Sequence, residues 1–188
     1  MTPDQSLLLL GLAPAVTRRW FVRLKEPQRH YHTLAHIEAM LANLPDADAS
    51  REMIAAIWLH DIVYDPKASD NEEMSAFVAE QDLAGSGIAI PVVVSLILGT
   101  KHHDCGSGQQ NLLNDLDLGI LGVPPPAYAR YAHQIRMEYA HVPTPHYHAG
   151  RAAVLSSFDK KQIFQTEHFA HLEAQAHKNL RAEIARLH

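Results

Sequence analysis

Apolar side chains recur along most of this chain at intervals of three and four residues. Ile37, Met40, Leu41 and Leu44 give one clear example. This spacing places the side chains on one face of a helix and predicts a largely helical chain. The predicted helices cover residues 5–25 with a break at Pro14, Thr33–Leu44, Ser50–Val63, a segment that opens at Asn71, Tyr128–Tyr139, His148–Phe164 and Glu167–Leu187.

The same spacing predicts which side chains of two helices face the core. The positions from Leu8 to Trp20 form one stripe at helical intervals. Met74, Phe77 and Val78 form a second stripe in the helix that opens at Asn71. Because such a stripe normally faces the protein interior, we expect these side chains to be buried.

The stretch from Ile90 to Leu98 is ambiguous when it is judged by its own residues. Its many β-branched side chains favour a strand. Pro91 suits the first turn of a helix, and the length of the stretch up to Thr100 also favours a helix. The local pattern alone leans slightly towards a strand.

One polar pair interrupts the apolar pattern. His60 and Asp61 lie side by side within the mostly apolar run 55–65. The helix that begins at Ser50 is apolar around most of its circumference, so we expect the pair to lie at its inner end. Burying an imidazole and a carboxylate is costly unless something pairs with them. A divalent metal ion is the simplest partner that both can share.

Length and composition predict one folded domain. The chain has 188 residues, of which 47% are hydrophobic and 20% charged, enough apolar surface to form a packed core. The segment 122–126 is rich in proline and could divide a catalytic bundle from a C-terminal helical part. We nevertheless expect one compact unit.

Charge and cysteine content exclude several classes of function. The net charge of −5 leaves no overall basic surface, so we expect no nucleic-acid polymer as partner. A single cysteine, Cys105, rules out an internal disulfide and suits a reducing compartment. The apolar run 7–13 is far shorter than the roughly 20 residues of a membrane span, and Asp4 stands where a signal peptide would be basic. By elimination, we expect a cytoplasmic protein without a membrane partner.

Histidine is the outlier in the composition, with 14 residues. Four side chains stand out as candidate metal ligands because of their position: His36, His60, Asp61 and Asp117, with His102 or His103 lying between the last two. Two imidazoles and two carboxylates suit Mn²⁺, Fe²⁺, Mg²⁺, Ni²⁺ or Zn²⁺. Ligands so far apart in sequence would come from separate helices, as in metal sites within helical bundles.

The order and context of these residues resemble the HD superfamily of metal-dependent phosphohydrolases, and more closely a bacterial-type subgroup of predicted phosphohydrolases. The resemblance rests on these motifs: Arg29-x-Tyr31-His32-x-x-x-His36-Ile37, Trp58-Leu59-His60-Asp61-Ile62-Val63-Tyr64-Asp65, Asn71-Glu72-x-x-Ser75-Ala76, Thr100-Lys101-x-His103, Asp115-x-Asp117-Leu118-x-Ile120-Leu121-Gly122, Arg136-x-Glu138-Tyr139 and Gly150-Arg151.

The resemblance covers nearly the whole chain and has consequences for the fold and the site. It implies an all-α HD-domain helical bundle with a metal site in the core, and it favours a helix over residues 91–103. It implies one domain over residues 1–188, with the helices from about residue 127 packed on the same unit. The implied ligands of a divalent ion are His36, His60, Asp61 and Asp117.

The implied reaction is hydrolysis of a phosphate mono- or diester of a nucleotide or small metabolite by a metal-activated water. A phosphorylated substrate needs cations beside the ion. Arg29 and Lys101 are the first candidates, since each lies a few residues from an expected ligand. Arg136 and Arg151 are further candidates for substrate binding, although either could form a structural ion pair instead. His32 could contact phosphate or support a ligand.

Three more residues are candidates for the catalytic group, together with Lys101. Asp65 and Glu72 resemble the acidic pair that positions water in related hydrolases, and His103 could be a further ligand or a substrate contact. Two alternatives stay open: a di-iron HD-type oxygenase, which needs two ions, and a non-catalytic module that binds metal or nucleotide. The sequence allows a homodimer.

Overall fold

The computed structural model describes residues 1–187. Within this range the chain forms ten α-helices, a few short 3-10 segments and no β-strand, so the prediction of an all-α protein is confirmed. The helices are α1 (Pro3–Leu10), α2 (Pro14–Arg23), α3 (Leu34–Asn43), α4 (Arg51–Leu59), α5 (Asn71–Asp82), α6 (Ile90–Gly99), α7 (Gly108–Leu118), α8 (Pro125–Glu138), α9 (Thr144–Asp159) and α10 (Glu173–Leu187). None of these helices is long and apolar enough to cross a bilayer.

Contacts divide the chain into two compact units, residues 1–116 and 117–188. The division falls near the end of α7 rather than at the proline-rich segment 122–126. The expectation of a single domain that includes the helices from about residue 127 stays a prediction.

Helix α4 forms the centre of the first unit. Every residue from Met53 to Leu59 is buried, and the helix packs against α1, α3, α5 and α6. The Trp58 indole lies 5.9 Å from the Trp20 ring and donates a hydrogen bond to Ser6 Oγ. A helix that is apolar on all sides is stable only when other elements surround it, which explains its central position.

The two ends of α4 follow ordinary capping chemistry. Ser50 accepts a hydrogen bond from the Met53 backbone N–H at the N-terminus, as the sequence suggests. The helix ends at Leu59 rather than at the predicted Val63, and the His60 N–H closes the last turn. Asp61 therefore lies in the turn that follows the helix, and it does not share the helical geometry of His60.

Helix α6 resolves the ambiguous stretch. It runs from Ile90 to Gly99 with Pro91 in its first turn, where the missing N–H costs nothing. The predicted helix is thus confirmed for residues 91–99, whereas residues 100–103 form a turn. His103 closes this turn in the left-handed region, with φ of 49°, which interrupts the helix.

Two predicted apolar faces are confirmed only in part or not at all. Leu8 is 81% exposed, although Trp20 of the same stripe is fully buried, as is Leu10, two residues after Leu8. On α5, Met74 and Phe77 are exposed, and small residues such as Ala79 face inward instead. Helix α5 packs along α6, and small side chains allow the two backbones to approach closely.

The second unit is built around the contact between α9 and α10. Asn179 of α10 is buried and donates to the carbonyl oxygens of Leu121 and Val123. These hydrogen bonds tie the 3-10 segment Gly119–Gly122 to α10. Helix α9 begins at Thr144 rather than at the predicted His148, because proline suits the first turn of a helix. Helix α10 begins at Glu173, later than the predicted Glu167.

Candidate metal centre

Four side chains form a cluster that can hold a metal ion, and they are the four predicted ligands. His36 lies on α3, His60 caps α4, Asp61 follows in the turn, and Asp117 lies near the end of α7. Each offers one ligand atom, and these atoms all lie within 4.8 Å of one another. Helix α7 runs from Gly108 to Leu118 and includes Asp117.

The separations between donor atoms fit a shared ion. His60 Nε2 lies 3.2 Å from His36 Nε2 and 3.1 Å from Asp61 Oδ2. Two donors that bind one ion at about 2.0–2.2 Å lie about 2.8–3.6 Å apart at tetrahedral or octahedral angles. Both measured separations fall in this range, so His60 can share one ion with His36 and with Asp61.

A hydrogen bond orients His60 for metal binding. His60 Nδ1 lies 2.9 Å from the carbonyl oxygen of Ile57, which can only accept a hydrogen bond. Nδ1 therefore carries the proton, and in the neutral ring the lone pair resides on Nε2. This is the outer-shell contact that metal-binding histidines ordinarily make through their second nitrogen.

Burial differs between the two kinds of ligand. His36 and His60 are buried, with 5% and 1% of their surface exposed. The Asp61 side chain keeps 17% of its surface exposed, and Asp117 is also partly exposed. The imidazoles thus form the inner wall of the cluster, while the carboxylate side remains open to solvent, as a site that admits a substrate requires.

His32 lies at this open side. Its Nε2 is 3.8 Å from Asp61 Oδ2, and its ring stacks on Tyr64 with the centroids 4.2 Å apart. The structure therefore brings His32 to the cluster, and its contact with a substrate phosphate stays a prediction.

Arg29 lies inside the protein. Its side chain has no exposed surface, and its guanidinium donates to the carbonyl oxygens of His32, Asp61 and Ile62. Its Nε also donates to Glu26. The predicted contact with a substrate phosphate stays a prediction, and the contacts observed are those of a residue that holds the backbone.

Lys101 pairs with the acidic start of α5. Its ammonium group donates to Glu73 and to the Ser69 carbonyl oxygen, and lies 3.8 Å from Glu72 Oε2. The hydrogen bond with Glu73 raises the pKa of Lys101 and lowers the pKa of Glu73. Glu73 was missed in the sequence because an acidic residue in a first helical turn is ordinary.

Asp65 shapes the turn that follows the cluster. Its carboxylate accepts the backbone N–H of Lys67, and its backbone exchanges hydrogen bonds with the Asn71 side chain. These contacts tie the turn to the start of α5. The catalytic roles proposed for Asp65, Glu72 and His103 stay predictions.

The two remaining arginines belong to the second unit. Arg151 forms a double hydrogen bond with Glu183, which is the structural ion pair considered as its alternative role. Arg136 donates to the carbonyl oxygens of Tyr139 and Val142 and lies over the Tyr147 ring. Substrate binding by either arginine stays a prediction.

No protein family, curated protein or solved structure matches the chain. The interpretation of the cluster therefore rests on its own geometry and on the sequence motifs described above.

Proposed function

We propose that this protein is a metal-dependent phosphohydrolase that acts on a phosphate mono- or diester of a nucleotide or small metabolite. One observation carries the proposal: four potential ligand atoms from three separate parts of the chain lie within 4.8 Å of one another. The resemblance of the surrounding motifs to the HD superfamily supplies the reaction class.

The donor set agrees with this chemistry. Two nitrogens and two carboxylate oxygens, without a thiolate, suit a catalytic divalent ion rather than a structural zinc. When bound, such an ion supplies Lewis acidity and lowers the pKa of a coordinated water from 15.7 towards about 7. The buried His36 and His60 hold one side of the site, and the carboxylates leave the other side accessible.

Other residues are assigned by their place around the cluster. His32 presents Nε2 beside Asp61 at the accessible side, where it can hydrogen-bond to a phosphoryl oxygen. Glu72 and Asp65 remain the proposed groups that accept or position a proton, and Lys101 the proposed phosphate contact. In this role Lys101 would exchange its carboxylate partner Glu73 for phosphate.

Two experiments test the proposal. Elemental analysis of the purified protein should find about one divalent ion per chain. A panel of phosphomonoesters, phosphodiesters and nucleotides, assayed with Mn²⁺, Mg²⁺ or Ni²⁺, should then reveal metal-dependent phosphate release. Asp61→Ala should abolish this release, whereas Asp46→Ala, a change in an exposed 3-10 segment, should retain it.

The outcomes separate the alternatives. Activity undiminished by Asp61→Ala would contradict the proposal. Two iron ions per chain with consumption of O₂ would favour the oxygenase instead. One ion per chain with thermal stabilisation by a nucleotide, but no product from any substrate, would favour a binding module.

A further inference from the structure

We propose that Arg29 is a positioning residue for the metal centre: it fastens the segment before α3 to the turn that carries Asp61, and so sets the affinity for the ion. This inference rests on the metal centre of the proposed function. It assigns to Arg29 a structural task at the ligands instead of a contact with substrate.

The hydrogen bonds of Arg29 connect two of the three segments that supply ligands. One terminal nitrogen donates to the His32 carbonyl oxygen over 3.0 Å and to the Asp61 carbonyl oxygen over 2.8 Å. The other donates to the Ile62 carbonyl oxygen over 2.9 Å. His32 lies four residues before His36, and Asp61 is itself an expected ligand. The guanidinium thus links the backbones of these two segments. Its hydrogen-bond partners lie within four residues of His36, His60 and Asp61 in the sequence.

The donors of Arg29 are almost fully occupied. A guanidinium has five N–H groups, and four of them are used, the fourth by Nε with Glu26 over 3.3 Å. The side chain also has no exposed surface. A buried arginine with these partners is rigid, and its planar, forked geometry cannot be reproduced by lysine.

Tyr64 extends the same arrangement to the accessible side of the cluster. The Arg29 guanidinium lies 5.5 Å from the centre of the Tyr64 ring, and the His32 imidazole stacks on that ring at 4.2 Å. Arg29 therefore fixes His32 through its carbonyl oxygen and also contacts the ring on which the imidazole rests.

The positive charge of Arg29 and its positioning role have opposite effects on metal affinity, which makes the role testable. A positive charge close to a divalent cation repels it, so removing this charge should by itself strengthen metal binding. A positioning role predicts the opposite result, because the ligands lose their arrangement. Loss of a contact that orients metal ligands typically weakens metal affinity about 10–100-fold.

The experiment compares Mn²⁺ affinity by isothermal titration calorimetry in the full chain and three variants. Arg29→Met removes the charge and the hydrogen bonds, and Arg29→Lys keeps the charge alone. Arg51→Lys is the matched control, since Arg51 also donates to two backbone carbonyls, those of Leu10 and Ser86, on segments without an expected ligand. Circular dichroism establishes that each variant is folded at the temperature of the titration.

We expect both Arg29 variants to bind Mn²⁺ about 10–100-fold more weakly than the wild type, and Arg51→Lys to bind as the wild type does. Wild-type affinity or tighter binding in folded Arg29→Met would overturn the inference and leave the metal centre intact. Equal weakening in Arg51→Lys would also overturn it, because general destabilisation would then explain the loss. Absence of Mn²⁺ binding to the wild type would overturn both the metal centre and this role.

A milder change covers the case in which the Arg29 variants do not fold. Glu26→Gln removes the carboxylate that holds Arg29 Nε, at a side chain that is 32% exposed. We expect a loss of affinity of about two- to fivefold, below that of a direct ligand-orienting contact. Unchanged Mn²⁺ affinity in this variant would then count against the role of Arg29.

Discussion

The Nε2 atoms of His36 and His60 lie 3.2 Å apart in the interior of the first unit. The Nδ1 atom of His60 is held by the Ile57 carbonyl oxygen, which leaves its Nε2 available among the other ligand atoms. Two imidazoles in this relationship, with a carboxylate oxygen at 3.1 Å, create a place where a cation is strongly favoured.

Binding of the ion should therefore stabilise the fold. At a Mn²⁺ concentration about 100 times the dissociation constant, linkage predicts a gain of about 2.7 kcal/mol in the free energy of unfolding. Chelation should remove this gain. Asp61→Asn keeps the size and shape of the side chain but removes its negative charge, so Mn²⁺ should stabilise this variant only slightly. Thermal unfolding with Mn²⁺ and with chelator measures the difference. An Asp46→Asn control should respond as the wild type does, and an equal response of Asp61→Asn would contradict the prediction.

Ser6→Ala should destabilise the first unit. Ser6 Oγ accepts the hydrogen bond of the Trp58 indole, and both residues have no exposed surface. Removing the hydroxyl leaves a buried N–H without its acceptor, which costs about 1–3 kcal/mol. Urea unfolding monitored by tryptophan fluorescence measures this loss. Ser157→Ala removes an exposed hydroxyl that donates to a nearby carbonyl, and its effect should be below about 0.5 kcal/mol.

Glu183→Gln should strongly destabilise the second unit. Glu183 accepts two hydrogen bonds from Arg151 and one from Tyr128, and the Arg151 side chain is only 10% exposed. The change leaves a buried guanidinium without its counter-charge, at a cost of about 3–5 kcal/mol. Chemical denaturation followed by circular dichroism tests this value. The double variant Arg151→Met/Glu183→Leu should recover part of the loss, and a single variant as stable as the wild type would contradict the ion pair.

Tyr128 donates a hydrogen bond to Glu183, and its hydroxyl offers a spectroscopic test. Burial, and then the negative charge of Glu183, raise the pKa of the Tyr128 hydroxyl well above its usual range. In an ultraviolet titration of the folded protein, at least one tyrosine should stay protonated until the protein unfolds in alkali. Ionisation of all six tyrosines near pH 10 while the fold persists would contradict this prediction.

The acid stability of the second unit should depend on Asp159. Hydrogen bonds from Arg181, and then from His177, lower the pKa of the Asp159 carboxyl. A lowered pKa in the folded state means that the carboxylate contributes stability above its unfolded pKa of about 3.9, and that this contribution is lost as the pH falls through the folded value. Asp159→Asn should therefore be less stable than the wild type by about 1 kcal/mol at neutral pH, and the difference should diminish as the pH falls below about 3.9.

Thermal unfolding of both proteins across this pH range provides the measurement. Asp46→Asn is a suitable control because its carboxylate lies exposed in a short 3-10 segment. A stability difference between wild type and Asp159→Asn that stays constant down to acid pH would show that the carboxylate charge does not contribute.

The helices and the ligands were largely predictable from the sequence. Helical spacing and capping residues depend on neighbours in the chain, so Thr33 and Ser50 marked the starts of α3 and α4, although of the two only Ser50 accepts a capping hydrogen bond through its side chain. The polar pair at His60 and Asp61 was recognisable because charged and imidazole groups rarely lie in an apolar run without a partner. Adding His36 and Asp117 depended on the motifs, and the structure brings both to the pair.

Other features were decided only by tertiary contacts. Met74 and Phe77 have the spacing of a buried face, yet small residues face inward because α5 packs closely on α6. The buried position of Arg29 depends on carbonyl oxygens of Asp61 and Ile62, and a backbone carbonyl leaves no mark in a sequence.

By itself, the sequence determined that this protein is helical and which side chains are available to bind a metal ion. The tertiary structure decided which of these side chains meet, how His60 is oriented, and that Arg29 is enclosed beside the ligands. The physical reason is the range of the interactions: helix formation and capping act within a few residues, whereas ligand geometry arises between segments that only the packed fold brings together.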